Sequence, residues 1–266
     1  MNSAKVLRQM WAKGETAFGA WSALPSAFAA ELMAIPGVSY ICIDQQHGMI
    51  DYPMMVEMLR GIEGRGPVAF TRVPENQTWL ISKALDAGIQ GIIVPMVNNR
   101  AQAAAAVAAC RFPPHGNRSY GPIRAALTME SRDIATIGGE VLCFVMIETK
   151  EAVERIDEIA STPGLDGIYI GPADLALGLG LPPDLDKQEP EHVAAVARIL
   201  ASCQRHGIVA GIQCGSGASG RKYSEMGFRL VTVAKDTSLI QSAVKGEIKS
   251  AFGGTAPGEG PAAGYT

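Results

Sequence analysis

The chain of 266 residues predicts a closed (β/α)8 (TIM) barrel, and three observations carry that prediction. Short apolar runs recur about eight times, helix-sized segments separate them, and the runs mostly fail to alternate apolar with polar residues. Strands of that kind are covered on both faces, as in a parallel sheet sheathed by helices. Repeated strand–helix units in one domain of this length favour a barrel over the alternative, an open doubly wound sheet.

The strand candidates are 19–24, 40–44, 68–73, 91–97, 141–147, 167–171, 209–214 and 230–234. Between them, 51–64 is helical because Met55, Met58, Leu59 and Ile62 fall on one face. In 191–206 the same face forms from Val193, Val196, Ala197 and Leu200, and Gly207 supplies the stop. One helix fills 150–160. The segment 110–132, with Pro113, Pro114, Gly116 and Gly121, is a long loop of the sort that is often functional. The domain takes residues 1–252; the Gly/Pro/Ala-rich tail 253–266 has no periodicity and is expected to be disordered.

Composition narrows the function. With 47% hydrophobic and 18% charged residues there is enough apolar surface for a large core. A formal charge of −3 without a basic patch argues against nucleic acid or an anionic membrane as partner. The five cysteines (Cys42, Cys110, Cys143, Cys203, Cys214) form no CxxC pair and no zinc spacing, which suggests reduced thiols. Residues 1–13 are too polar for a signal peptide and no apolar run reaches membrane-spanning length, so the expected compartment is the cytoplasm.

Barrel enzymes place their chemistry at the C-terminal ends of the strands. Those ends hold Asp44-Gln45-Gln46-His47-Gly48, Thr71-Arg72-Val73-Pro74, Glu148 and Gly171-Pro172-Ala173-Asp174. His47 is a base candidate, Arg72 a guanidinium, and Glu148 and Asp174 are oxygen ligands suited to a hard cation. Singly, each has an ordinary explanation: a helix cap, a loop histidine, a paired surface arginine. Their convergence on one edge of one barrel favours chemistry. Gly215-Ser216-Gly217-Ala218-Ser219-Gly220 matches a dinucleotide fingerprint, but it follows six strand–helix units. A tight glycine turn, with backbone N–H groups for an anion, is the better reading there.

At these residues the sequence resembles the HpcH/HpaI aldolase family, the metal-dependent class II pyruvate aldolases. The matching segments are Ile43-Asp44-x-x-His47-Gly48, Arg72-Val73-Pro74, Val94-Pro95-Met96-Val97, Ile147-Glu148-Thr149 and Ile170-Gly171-Pro172-Ala173-Asp174-Leu175. The resemblance covers roughly residues 5 to 250 and leaves out only the tail. It implies a (β/α)8 barrel whose last helix packs on a neighbouring subunit, in a hexamer built from dimers. It implies a divalent metal ion (Mg2+, Mn2+ or Co2+) on Glu148 and Asp174, and reversible aldol chemistry with a 2-oxo acid as nucleophile and an aldehyde as acceptor. It also implies that Asp86 orients His47 and that Asp44 helps hold the metal's waters.

That chemistry suits these residue types. Breaking C3–C4 of a 4-hydroxy-2-oxo acid leaves charge on the 2-oxo oxygen, which a divalent ion and Arg72 can stabilise, while His47 takes the 4-hydroxyl proton. The backbone at Gly171, Pro172 and Ala173 can approach the substrate carboxylate. No lysine stands at a comparable strand end except Lys235, so Schiff-base chemistry is the weaker alternative. Other readings are a CoA-ester lyase of the citryl or malyl type and a non-catalytic keto-acid-binding barrel. One position departs from the family: many relatives carry a Gln two residues before the glutamate, where this chain has Met146. A thioether donates no hydrogen bond, so the expected pocket is softer and admits hydroxypyruvate beside pyruvate.

Overall fold

Eight parallel strands pair in chain order and close on themselves. The computed structural model describes residues 4–127, 133, 137 and 139–254. The strands are β1 (Ala17–Ser22), β2 (Tyr40–Asp44), β3 (Val68–Arg72), β4 (Gly91–Val94), β5 (Leu142–Ile147), β6 (Gly167–Ile170), β7 (Val209–Gln213) and β8 (Leu230–Lys235). Helix α1 (Ala4–Ala12) precedes them. Outside the strands lie α2 (Ala27–Met33), α3 (Tyr52–Ile62), α4 (Thr78–Ala87) and α5 (Arg100–Cys110). After β5 come α6 (Lys150–Glu154), α7 (Ile156–Ala160), α8 (Pro172–Gly178), α9 (Pro190–His206), α10 (Gly217–Met226) and α11 (Asp236–Ala251).

The barrel interior is filled by aromatic rings set against glycines. Neighbouring strands pair Gly19 with Tyr40, Phe70 with Gly91, Phe144 with Gly167 and Tyr169 with Gly211. A Cβ at Gly19 would lie 2.2 Å from the Tyr40 ring, and one at Gly91 2.2 Å from the Phe70 ring. Each ring thus crosses the barrel through space that its neighbour leaves vacant, which fills the interior without a pore. Helix α1 closes the N-terminal end: Leu7 is buried, Trp11 meets Phe144 edge-on at 5.9 Å, and its Nε1 donates to the Arg229 carbonyl at 2.8 Å. A second apolar layer, including Ile41, Ile43, Val145, Ile147, Ile168 and Ile170, packs outward against the helices.

Several boundaries differ from the sequence expectation for local reasons. Strand β4 stops at Val94, because Pro95 cannot extend a ladder and Met96 takes a left-handed φ of 57°. The expected helix over 150–160 is two short ones, broken at Arg155. Gly207 ends α9 in the left-handed conformation, as expected (φ 66°, ψ 27°). The long loop after α5 leaves the bottom of that helix, so its described part, through residue 127, lies at the N-terminal end of the barrel, away from the strand C-termini. Its remainder and most of the 253–266 tail fall outside the described residues. Among the described residues no helix is long and apolar enough to cross a membrane. All five cysteines are unpaired and buried. Helix α11 leaves Ile240, Val244 and Ile248 exposed at four-residue spacing, with Phe252 beyond its end.

Candidate active site

The register of the barrel brings the first two site residues together. Asp44 and Arg72 are direct partners at the ends of β2 and β3. Arg72 donates from Nε to Asp44 Oδ1 at 2.9 Å and from Nη2 to Oδ2 at 2.6 Å, a two-pronged pair of the kind a planar guanidinium makes. Trp21 Nε1 donates to Asp44 Oδ2 at 3.1 Å, and the backbone N–H groups of Gln46 and His47 donate to Oδ1 at 3.1 and 3.2 Å. Burial by itself would raise the Asp44 carboxyl, but Arg72's hydrogen bonds and charge, with Trp21 and the His47 amide, hold it below its ordinary value. Arg72 lies over the Trp21 ring, 5.1 Å from its centroid, and Trp21 stacks on Tyr169. Nη1 of Arg72 has no protein acceptor among the described residues.

Glu148, directly after β5, is 3% exposed. Its Oε2 accepts the Met96 backbone N–H at 2.8 Å, and the left-handed backbone at Met96 is the local strain that accompanies this contact. Burial pushes the Glu148 carboxyl up to about 7; the Met96 N–H opposes that shift, and the neighbouring Asp174 carboxylate adds to it. Asp174 stands half-buried in the first turn of α8, just after Gly171. A side chain at 171 would not fit: its Cβ would fall 2.7 Å from Glu148 Oε1 and 3.0 Å from the Met146 methyl. Met146 is buried beneath. The Pro172 carbonyl is held from behind by His192, which must donate from Nε2 (3.1 Å) because a carbonyl only accepts.

Two neighbouring carboxylates, Glu148 buried and Asp174 half-buried, destabilise each other unless a proton or a cation intervenes. The nearby guanidinium is already engaged by Asp44. Among the described residues no group of three or more His, Cys, Asp and Glu converges, so the protein offers two oxygen-bearing side chains. That donor set fits a hard divalent cation whose remaining positions are filled by water and substrate.

The other expected residues are placed differently. His47 is exposed on the loop after β2, and its ring has no partner among the described residues. Asp86 does not reach it within one chain. Helix α4 runs from the rim toward the N-terminal end, and Asp86 is in its last turn; there Arg118 Nη2 donates to Asp86 Oδ1 at 2.7 Å. Burial nevertheless leaves the Asp86 carboxyl above its ordinary value, against the pull of Arg118. The glycine-rich turn after β7 satisfies itself: Ser216 and Ser219 cap α10 reciprocally, and Gly220 lets that helix approach Val233. Sequence reasoning missed Trp21, whose indole needs a fold-level contact to declare itself, and Met96, whose role is carried by the backbone alone.

Fold and rim define a barrel enzyme with a polar, carboxylate-bearing mouth at the strand C-termini. The chain belongs to the HpcH/HpaI aldolase/citrate lyase family, whose model matches residues 17–243. It is a carbon–carbon lyase of that family. Among its relatives, a hydroxypyruvate/pyruvate aldolase from Rhizorhabdus wittichii is 40% identical over 92% of this chain and 98% of its own. A 5-keto-4-deoxy-D-glucarate aldolase from Klebsiella pneumoniae is 30% identical over 85% of this chain and 89% of its own. The crystal structure of an HpcH/HpaI aldolase/citrate lyase family protein from Burkholderia cenocepacia superposes with a TM-score of 0.87 at 32% identity, covering 94% of this chain and all of the other.

Proposed function

We propose that this protein makes and breaks 4-hydroxy-2-oxo acids in a divalent-metal-dependent aldol reaction, with pyruvate or hydroxypyruvate as nucleophile and an aldehyde as acceptor. The observation that carries this reading is the geometry at the strand C-termini, where the buried Glu148 carboxyl stands beside Asp174 and close to the Asp44-held Arg72. The names of the relatives, hydroxypyruvate/pyruvate aldolase and 5-keto-4-deoxy-D-glucarate aldolase, support the substrate class. In this reading Glu148 and Asp174 hold Mg2+, Mn2+ or Co2+, which supplies Lewis acidity toward a neighbouring 2-oxo acid.

The chain's own residues divide the remaining work. Asp44 already accepts five hydrogen bonds, so its first task is to fix Arg72 in place, and aid to the metal's waters is secondary. With its fork so engaged, Arg72 keeps Nη1 free to donate to the 2-oxo oxygen as charge grows there. The turn Gly171-Pro172-Ala173 lets the substrate carboxylate approach the backbone, where N–H donors can come only from its non-proline residues, and Met146 lines the floor under it. His47 takes the 4-hydroxyl proton as the C3–C4 bond breaks and returns it in the condensation direction.

An Asp86–His47 pair, where it forms, joins two copies of the chain, because within one copy Asp86 is held by Arg118 in the last turn of α4. The exposed Ile240, Val244 and Ile248 stripe supports packing of α11 on a neighbouring subunit, in keeping with a dimer-based hexamer. Five unpaired, buried cysteines support a reducing compartment, the cytoplasm. The test is to incubate the protein with Mn2+, pyruvate and a panel of aldehydes. Carbon–carbon bond formation that EDTA stops and added Mn2+ restores is the expected result. Equal product formation in the presence of chelator would overturn the reading.

A further inference from the structure

One cation at the barrel mouth, Lys235, takes no part in that chemistry. Lys235 ends β8. Its orientation is set by an irregularity in the pairing of β8 with β1. Gly19 pairs with Thr232, but the next partner of β1, Ala20, pairs with Ala234, so Val233 is skipped and Trp21 pairs with Lys235. In-register neighbours on a parallel sheet share a face. Thr232 points inward, where its hydroxyl meets Tyr40 and Tyr169 at 2.7 and 2.6 Å, and Trp21 packs in the interior cluster as well. Without the extra residue, position 234 would be the next to face inward. With it, that place falls to Lys235, the way a bulge re-aims a side chain beside a site.

The strand end is then locked. Asp236 accepts hydrogen bonds at Oδ2 from the Ser22 hydroxyl (3.0 Å) and from the backbone N–H groups of Ala23 and Leu24 (2.8 and 2.9 Å). The Lys235 side chain is half-buried, and among the described residues it has neither an ion pair nor a hydrogen bond. Gln213, paired with Thr232 at the end of β7 and therefore on the same inner face, is also half-buried, and its side-chain amide has no partner among the described residues. In a ring of eight strands, β1 and β8 face β4 and β5. Lys235, three strands round from β5, therefore borders the mouth on the side away from Glu148, with Trp21 between it and Arg72; Gln213, two strands from β5, lies next to Lys235 on the way round to Asp174.

We propose that Lys235, with Gln213 beside it, forms the acceptor subsite and binds an anionic group, carboxylate or phosphate, carried by the aldehyde. The proposal rests on the aldolase reading and adds the class of acceptor. A half-buried ammonium without a partner is stabilised by an incoming anion, and the neighbouring amide can donate to the same group. The 2-oxo acid occupies the Arg72 and Glu148 side, which leaves the β7–β8 side for the rest of the aldehyde.

The test uses the full chain with Mn2+ and pyruvate, and three acceptors: succinic semialdehyde for carboxylate, glyceraldehyde 3-phosphate for phosphate, and glyceraldehyde as the neutral comparison. The quantity read is the ratio of kcat/KM for each anionic aldehyde to that for glyceraldehyde, within each protein. Lys235→Met is expected to lower that ratio about ten- to a hundredfold, the usual size for one hydrogen bond to a charged group, mainly through KM. Lys235→Arg is expected to keep the ratio within about threefold of wild type, since the charge remains. Whichever anion shows the larger fall identifies the group bound. An unchanged ratio in Lys235→Met would overturn the proposal. So would reductive trapping of pyruvate on Lys235 by cyanoborohydride, which would make the residue a nucleophile instead. Failure to condense any of the three aldehydes would be a different result, removing the aldolase reading and this proposal together.

Discussion

The same eight strands build two unlike regions. In their lower halves the interior is apolar: Phe70, Phe144 and Tyr40 interlock against glycines, and Trp11 of α1 seals the end. At their C-terminal ends the interior holds Asp44, Arg72 and Glu148, all nearly inaccessible to water. Packing is self-sufficient below, since each ring finds its complement in the neighbouring strand. Above, one charge pair is complete within the chain, Asp44 with Arg72, and one is not, Glu148 with Asp174. The difference teaches that stability and reactivity are separated along the strand axis, so substitutions at the two levels should fail in different ways.

The largest effect belongs to the lower level. Phe144→Ala removes a fully buried ring that touches Trp11 and Phe70, and is expected to cost about 3–5 kcal/mol of stability. Chemical denaturation measures it, and the surviving folded fraction should keep the wild-type KM for the 2-oxo acid. The upper level should invert that pattern. Glu148→Gln or Asp174→Asn is expected to lower kcat by at least about a hundredfold. The melting temperature should hold or rise, because each change removes a charge from a mutually repelling pair. A matched loss of stability and activity in either variant would break the separation.

His47→Ala sharpens the comparison within the rim. It is expected to slow aldol cleavage by about a hundredfold or more while leaving oxaloacetate decarboxylation, which needs no 4-hydroxyl base, much closer to wild type. Steady-state assays of both reactions decide it; equal losses would remove the base role. The smallest effect is expected at the boundary between the levels. Met146 is buried beneath Gly171 and Glu148. Met146→Gln, which puts a hydrogen-bonding side chain in place of the thioether, should change the hydroxypyruvate-to-pyruvate ratio of kcat/KM by roughly two- to tenfold. An unchanged ratio would leave Met146 as packing alone.

The lower level was largely legible in the sequence because burial on both faces leaves continuous apolar runs. The run over 40–44 became β2 at its full length. The run over 91–97 extends past β4, since apolar residues continue beyond Pro95, where the ladder loses its donor. At the rim, Asp44, Arg72, Glu148 and Asp174 stood out as polar residues closing apolar runs. Three features did not. Trp21 looks like core until its indole is found on Asp44. The N–H of Met96 has no side-chain signature. The inward turn of Lys235 depends on a skipped pairing between β8 and β1, which no periodicity records. For Asp86 the resemblance implies a partnership with His47, while within one copy α4 carries it to Arg118.

The central claim is that Glu148 and Asp174 make the rim a metal-dependent site for turning a 2-oxo acid into a carbon nucleophile. The most direct measurement is exchange of the pyruvate methyl protons with deuterium, followed by proton NMR in D2O without any aldehyde. With Mn2+ or Mg2+ added, the wild-type protein should exchange those protons, and EDTA, Glu148→Gln and Asp174→Asn should each abolish the exchange. Exchange at the wild-type rate in either variant, or in the presence of EDTA, would contradict the account.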